Sequence, residues 1–126
     1  MSEPHPTLFE ELGGEPVLRR IIDRFIDRVF DDPMIGYMFQ RASRKRIKDM
    51  EFEFAARHLG APIEYTGRPL EAAHRAHTIF EGHFNRRLTL LRETLEEENV
   101  PERVREHWIA HTLEQKPLLV RGPCNE

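Results

Sequence analysis

The stretch Glu15-Pro16-Val17-Leu18-Arg19-Arg20-Ile21-Ile22-Asp23-Arg24-Phe25-Ile26-Asp27-Arg28-Val29-Phe30 decides the fold class. Its apolar residues come in adjacent pairs, and each pair follows the previous one by about one helical turn. This spacing makes a broad apolar stripe at the helical period and excludes the period-2 alternation of a half-buried strand. The sequence therefore predicts a long helix with one face in a hydrophobic core.

Capping residues, glycines and prolines mark the ends of the elements around this helix. Thr7 and Glu10 have capping-box spacing and predict a short helix that stops at Gly13-Gly14. Asp31-Asp32-Pro33 ends the long helix, because the residue before a proline is driven out of the helical region. The apolar run that follows, from Met34 to Phe39, predicts a single turn that forms a wall.

Three further helical segments follow, and no segment has a strand pattern, so the predicted fold is all-α. Ser43 is predicted to cap a helix from Arg44 to Leu59, which Gly60-Ala61-Pro62 ends. Its predicted inner face is Ile47, Met50, Glu51, Phe54, Ala55 and His58. Residues 68–74 predict a turn or two of helix, residues 81–99 a long helix, and residues 101–119 the last helix. The long helix is predicted to present one face made of Phe84, Leu88, Leu91 and Leu95.

Composition narrows the class of protein. A chain of 126 residues fits one domain, residues 1–126, with frayed tails at 1–6 and 121–126. Nineteen basic and 22 acidic residues are interspersed, so neither nucleic acid nor a membrane surface is the expected partner. The single cysteine, Cys124, excludes an internal disulfide and suits a reducing compartment. With no signal peptide and no apolar stretch of spanning length, the expectation is a cytoplasmic monomer or weak homodimer.

Short motifs in a fixed order carry a family resemblance. They are Leu8-Phe9-Glu10-Glu11-Leu12-Gly13-Gly14, Phe25, Arg28-Val29, Asp32-Pro33, Phe39, Leu59-Gly60, Tyr65-Thr66-Gly67, His74, Ile79, His83-Phe84 and Val100-Pro101. With these motifs in this order, the chain resembles the truncated haemoglobins, and within them the group I-like bacterial globins. The resemblance implies a short globin fold, a two-over-two helical sandwich around haem.

The resemblance also implies a haem site. His74 is the implied proximal ligand to the iron, since a neutral imidazole is the usual protein donor in globins; without the resemblance it would read as an ordinary helix histidine. The haem would be non-covalent haem b, because no Cys-x-x-Cys-His motif exists. His77, Arg46 or Arg75 would pair with the propionates. The implied cofactor contacts are Phe39, Arg46, Ile47, Met50, Phe54, Tyr65, His74, His77, Ile79 and Phe84.

The distal side departs from the family pattern. Many truncated haemoglobins place a tyrosine and a glutamine where this chain has Ile26 and Glu51, and neither an isoleucine nor an ionised carboxylate donates a hydrogen bond to bound oxygen. Glu51 is either buried and protonated, paired with a cation such as Arg87, or turned to water. Met50 is a candidate sixth iron ligand, and a core gap filler otherwise. The implied distal pocket is Phe25, Ile26, Glu51, Arg87 and Trp108.

The other histidines are less informative in sequence. His107 and His111 stand four residues apart, a spacing that suits a shared metal, but no third ligand is evident nearby, so a plain helix face is the better interpretation. His83 matches the family pattern and is expected to be structural. His5 and His58 indicate nothing definite.

These features predict a globin that binds the diatomic ligands oxygen, nitric oxide and carbon monoxide. Turnover of nitric oxide or peroxide, served by a reductase, is left open, although no catalytic residue is assigned. Bulk oxygen transport is disfavoured by Ile26 and Glu51. The alternative is a haem-free or six-coordinate globin-like module that acts as a sensor or interaction domain.

Overall fold

The computed structural model describes residues 6–63 and 79–120. Within them lie five α-helices and one 3-10 helix, and a single β-bridge joins Ile79 to Val120. The helices are α1 (Leu8–Leu12), α2 (Gly14–Asp31), the 3-10 helix (Gly36–Phe39), α3 (Arg44–His58), α4 (Glu81–Glu97) and α5 (Glu102–Leu119). The helix predicted over residues 68–74 lies outside the described residues. Among the described helices, none combines the length and apolar character that a membrane crossing needs.

Two of the predicted N-terminal caps are present. The Thr7 hydroxyl accepts a hydrogen bond from the Glu10 backbone N–H and donates one to Glu10 Oε1, both at 3.1 Å. The Ser43 hydroxyl accepts from the Arg46 backbone N–H at 3.2 Å. The bonds that Thr7 and Ser43 accept each satisfy an N–H that the first helical turn leaves without a backbone partner, so these two side chains position the starts of α1 and α3.

α2 is the centre of the fold, because it packs against α1, the 3-10 helix, α3 and α4. Its inward stripe is buried: Leu18, Ile21, Ile22, Phe25, Ile26 and Val29. Towards α3, Arg19 binds Asp49 and Lys48 binds Asp23, so residue numbers fall along α3 as they rise along α2. This register makes the two helices antiparallel.

A second antiparallel pair completes the sandwich. Lys116, near the end of α5, donates to Glu81 at the start of α4 at 2.9 Å. The C-terminal end of α4 reaches back to the start of α2, where Arg20 binds Glu98 at 2.6 Å. The predicted all-α, two-over-two arrangement is therefore confirmed.

The buried face of α3 differs from the predicted one. Phe52, Ala55 and Ala56 are its buried residues, and of these only Ala55 was predicted to face inward. The two alanines allow α3 to lie close to α2, and the Arg19 guanidinium covers the ring of Phe52 at 3.8 Å from its centroid. The other five predicted inner residues are half-buried: Ile47, Met50, Glu51, Phe54 and His58.

The apolar run after α2 is also more exposed than its composition suggests. Ile35 is buried, whereas Met34 and Tyr37 are 60% and 58% exposed. The 3-10 helix at Gly36–Phe39 supplies the predicted single turn, and the ring of Phe39 lies 5.1 Å from that of Phe30. This turn is thus anchored to the core by Ile35 and Phe39.

Asp32 holds the corner between α2 and the 3-10 helix. Its side chain is 2% exposed and accepts hydrogen bonds from the backbone N–H groups of Met34 and Ile35 at 3.0 and 3.1 Å. The Arg86 guanidinium of α4 donates two more, at 3.0 and 2.7 Å. The Arg86 hydrogen bonds, with those from the two backbone groups, hold the pKa of Asp32 below its ordinary value.

We expect Asp32→Ala to lower the free energy of unfolding by about 3 kcal/mol, because it strands two backbone donors and a guanidinium. Arg86→Ala should cost less, since Asp32 keeps its backbone donors. The control is Asp23→Ala, which removes an exposed ion pair and should cost about 1 kcal/mol at most. Urea denaturation at pH 7 measures all three, and equal losses for Asp32→Ala and Asp23→Ala would contradict the anchoring role.

Candidate functional site

The predicted cofactor contacts fall into two groups. Tyr65, His74 and His77 lie outside the described residues, as does Arg75, so their expected roles stay predictions. The described contacts border one side of α3 and the start of α4. Of these, Phe84 is buried, Arg46 is exposed, and five are half-buried: Phe39, Ile47, Met50, Phe54 and Ile79.

The described residues fit a flat apolar cofactor with acidic substituents. Ile47, Met50 and Phe54 recur at helical spacing on α3, and none is fully buried, so this apolar face is only partly covered. On α4, Phe84 and Leu88 are buried, yet they lie outside the main hydrophobic core that the described residues form. The exposed Arg46 near the start of α3 offers a cation for a carboxylate.

Glu51 and Arg87 form an ion pair between α3 and α4. An Arg87 Nη atom donates to Glu51 Oε1 at 2.8 Å, and the two side chains are 26% and 30% exposed. The guanidinium also lies over the ring of Phe25, 4.9 Å from its centroid. Of the three alternatives for Glu51, the structure contains the paired carboxylate.

The remaining distal candidates are core residues. Phe25, Ile26 and Trp108 are 1%, 2% and 4% exposed. Phe25 contacts the Glu51–Arg87 pair through its ring, which lies under the Arg87 guanidinium. Whether all five residues line one ligand pocket stays a prediction.

His83 has a capping role that the sequence did not specify. Its Nδ1 accepts the backbone N–H of Phe80 at 3.2 Å, at the start of α4. A neutral imidazole then carries its proton on Nε2, which donates to the Tyr37 oxygen at 3.2 Å. His83 therefore joins the start of α4 to the 3-10 helix, which agrees with the structural role expected for it.

Three histidines form a cluster between α3 and α5. The rings of His58 and His111 stack with centroids 4.0 Å apart, and the His107 ring lies 5.5 Å from that of His58. His58 approaches His107 and His111 from another helix, which sequence spacing does not show, but no three His, Cys, Asp or Glu side chains in the described ranges form a group that could hold a metal ion. Phe54 packs against the cluster, 5.4 Å from His111.

Burial favours the neutral forms of His58 and His111. Desolvation, with the neighbouring charges of His111 and His107, lowers the pKa of His58 to about 3, and desolvation also lowers the pKa of His111. In the unfolded chain a histidine takes up its proton near pH 6.5. The unfolded state therefore binds more protons than the folded state between these values, and acid favours unfolding.

We expect the stability of the protein to fall as pH drops from 6.5 towards 3, partly through His58. His58→Phe keeps an aromatic ring in the stack and removes this proton linkage. Its free energy of unfolding, measured in urea at several pH values, should decline less steeply than that of the wild type over the same interval. Identical slopes would contradict the assignment of the linkage to His58.

Comparison with known proteins agrees with this architecture. The sequence profile of the family described as "Bacterial-like globin" matches residues 7–116. Group 1 truncated hemoglobin GlbN of Mycolicibacterium paratuberculosis is 31% identical over 83 residues, which cover 66% of this chain and 60% of that relative.

Two solved structures are similar over nearly their whole length. The hemoglobin of Chloroflexus aurantiacus superposes with a TM-score of 0.83 at 29% identity, covering 93% of this chain and 100% of that one. The group II truncated hemoglobin of Bacillus anthracis has a TM-score of 0.87 at 23% identity, covering 98% and 97%, and shows the shared fold. Since the family profile matches residues 7–116, from the start of α1 to near the end of α5, the chain belongs to the bacterial-like globin family, as its resemblance to the truncated haemoglobins predicted.

Proposed function

We propose that this protein binds oxygen and other diatomic ligands reversibly, with Arg87 as the hydrogen-bond donor to the bound ligand. Haem b is the cofactor that globins of this family use, and its iron supplies the position where such a ligand binds. His74 would hold the iron, and Arg46 or His77 would hold the propionates. The observation that carries the proposal is the Arg87 guanidinium, paired with Glu51 and seated on Phe25.

Of the five proposed distal residues only Arg87 and Trp108 carry N–H donors, and Trp108 is a core residue, 4% exposed, so we assign the donor role to Arg87. Ile26 and Phe25 carry no polar hydrogen, and an ionised Glu51 is an acceptor only. A guanidinium has five N–H donors, so an ion pair through one of them leaves others for a ligand. Bound oxygen carries partial negative charge, which an adjacent cation stabilises.

The ion pair also bears on the haem-free alternative. That alternative rested on two charged residues where a pocket is expected. Paired at 2.8 Å, Glu51 and Arg87 neutralise each other, so their presence is compatible with a cofactor beside them. A ligand would then meet a local dipole with its positive end on Arg87.

Arg87→Leu should raise the oxygen dissociation rate by about 10- to 100-fold, the effect of losing one charge-assisted hydrogen bond. Carbon monoxide is a weaker acceptor, so its dissociation should change far less. Glu51→Gln should slow oxygen release, because it removes a negative charge beside the ligand. Stopped-flow and flash-photolysis measurements on the ferrous protein give these rates.

The matched control is Arg86→Leu, which removes the neighbouring guanidinium that binds Asp32. It should leave the ratio of oxygen to carbon monoxide affinity unchanged. If Arg87→Leu and Arg86→Leu have the same ratio as the wild type, Arg87 is not the ligand's donor.

Haem attachment has a separate test. His74→Ala should lose the haem, or bind it with an altered absorption spectrum, because the iron loses its protein ligand. His5→Ala, at a histidine to which no role in haem binding is assigned, should retain haem with a Soret band like that of the wild type. Stoichiometric haem with an unchanged ferric and ferrous spectrum in His74→Ala would refute the assigned ligand.

A further inference from the structure

Phe25 supplies a rigid surface beneath Arg87. Its ring belongs to the hydrophobic core and is 1% exposed, so close packing restricts its orientation. The Arg87 guanidinium lies over this ring, 4.9 Å from its centroid, a separation within the usual range for a cation on an aromatic face. A fixed part of the core therefore carries the cation to which the proposed function assigns the donor role.

The two contacts of Arg87 act differently on its N–H donors. Glu51 accepts a hydrogen bond from Arg87 at 2.8 Å and so competes with a ligand for the guanidinium. An aromatic face attracts the cation through its electron density and has no lone pair that takes up an N–H. Phe25 can therefore restrain the guanidinium and leave its remaining donors to a ligand, which a second carboxylate could not do.

Three helices meet at this guanidinium, since Phe25 lies on α2, Glu51 on α3 and Arg87 on α4. The ion pair joins two partly exposed side chains, 26% and 30% exposed. Pairs of this kind contribute little by themselves, because water screens them and two long side chains must be ordered. The buried ring adds a third, fixed point, and it limits the positions from which the guanidinium can donate.

We infer that Phe25 is a positioning residue for the ligand's donor, and that its aromatic face raises the preference of the protein for oxygen over carbon monoxide. This inference rests on the proposed role of Arg87. Bound oxygen carries more negative charge than bound carbon monoxide, so a displaced donor weakens oxygen binding more. Loss of the aromatic face should therefore speed oxygen release and leave carbon monoxide release nearly unchanged.

The first test changes the ring in two ways. Phe25→Leu removes the aromatic face, whereas pentafluorophenylalanine in place of Phe25 keeps the ring and withdraws electron density from its face. Each should raise the oxygen dissociation rate of the ferrous protein about 3- to 10-fold, the size of a cation–π contact. The fluorinated ring nearly preserves the packing of the core, so it tests the aromatic face independently of how well Phe25→Leu folds.

The carbon–oxygen stretch of bound carbon monoxide gives a second readout, measured by infrared spectroscopy. Its frequency responds to positive charge beside the ligand, so it should shift in both Phe25 replacements. The matched control is Phe52→Leu, because Phe52 is 5% exposed and the Arg19 guanidinium covers its ring at 3.8 Å. This variant loses the same kind of contact elsewhere in the core and should keep the wild-type affinity ratio and stretch.

A double-variant cycle separates positioning from packing. In an Arg87→Leu background, Phe25→Leu should have no further effect on the ratio of oxygen to carbon monoxide affinity, because the donor is already absent. An undiminished effect in that background, or an equal change in Phe52→Leu, would overturn the inference. If Arg87→Leu alters the ratio and the fluorinated ring does not, the proposed function stands and the role of Phe25 is refuted. If Arg87→Leu itself leaves the ratio unchanged, both are refuted.

Discussion

The two charged edges of α2 determine which helix lies on each side of it. Asp23, Asp27 and Asp31 follow one edge and meet the cations Arg44 and Lys48 of α3. Arg20, Arg24 and Arg28 follow the other and meet Glu97 and Glu98 at the end of α4. Apart from Glu98, which is 7% exposed, these side chains are at least 22% exposed. Exposed pairs contribute about 0–1 kcal/mol each, so burial of the apolar stripe between them supplies most of the stability. The charges select the arrangement, since exchanging α3 and α4 would place like charges together.

The helices could be predicted from the sequence because their ends depend on residues that are close together in the chain. Thr7, Ser43 and Pro33 act on neighbours within four residues, and the structure begins or ends helices beside each of them. The buried side of α3 was not predictable in this way. A sequence that is apolar on two sides fits more than one rotation about the helix axis, and contact with α2 through Ala55 and Ala56 decides between them.

The same distinction holds for the candidate site. The Glu51–Arg87 pair was foreseeable through the family resemblance, which implies that both positions face one pocket. The stack of His58 on His111 was not, since it depends on how closely α3 and α5 cross, and a single histidine in a helix carries no signal of that crossing. His83 was recognised as structural, but its cap at Phe80 depends on backbone geometry that pattern alone does not give.

Two consecutive arginines of α4 have different roles. Arg86 stabilises the fold, and Arg87 is the proposed donor to the ligand. Successive residues of a helix point about 100° apart, so Arg86 reaches the Asp32 corner while Arg87 reaches Glu51 on α3. Arg86 thus binds the buried Asp32 carboxylate, while the Arg87 guanidinium lies over the ring of Phe25. A free arginine side chain carries about 2 kcal/mol of rotamer entropy. In Arg87 the ion pair with Glu51 and the contact with the Phe25 ring already restrict the rotamers. In the proposed function, a ligand that accepts from Arg87 would therefore meet a donor whose ordering cost was met during folding, and a flexible side chain would take the place of a rigid tyrosine.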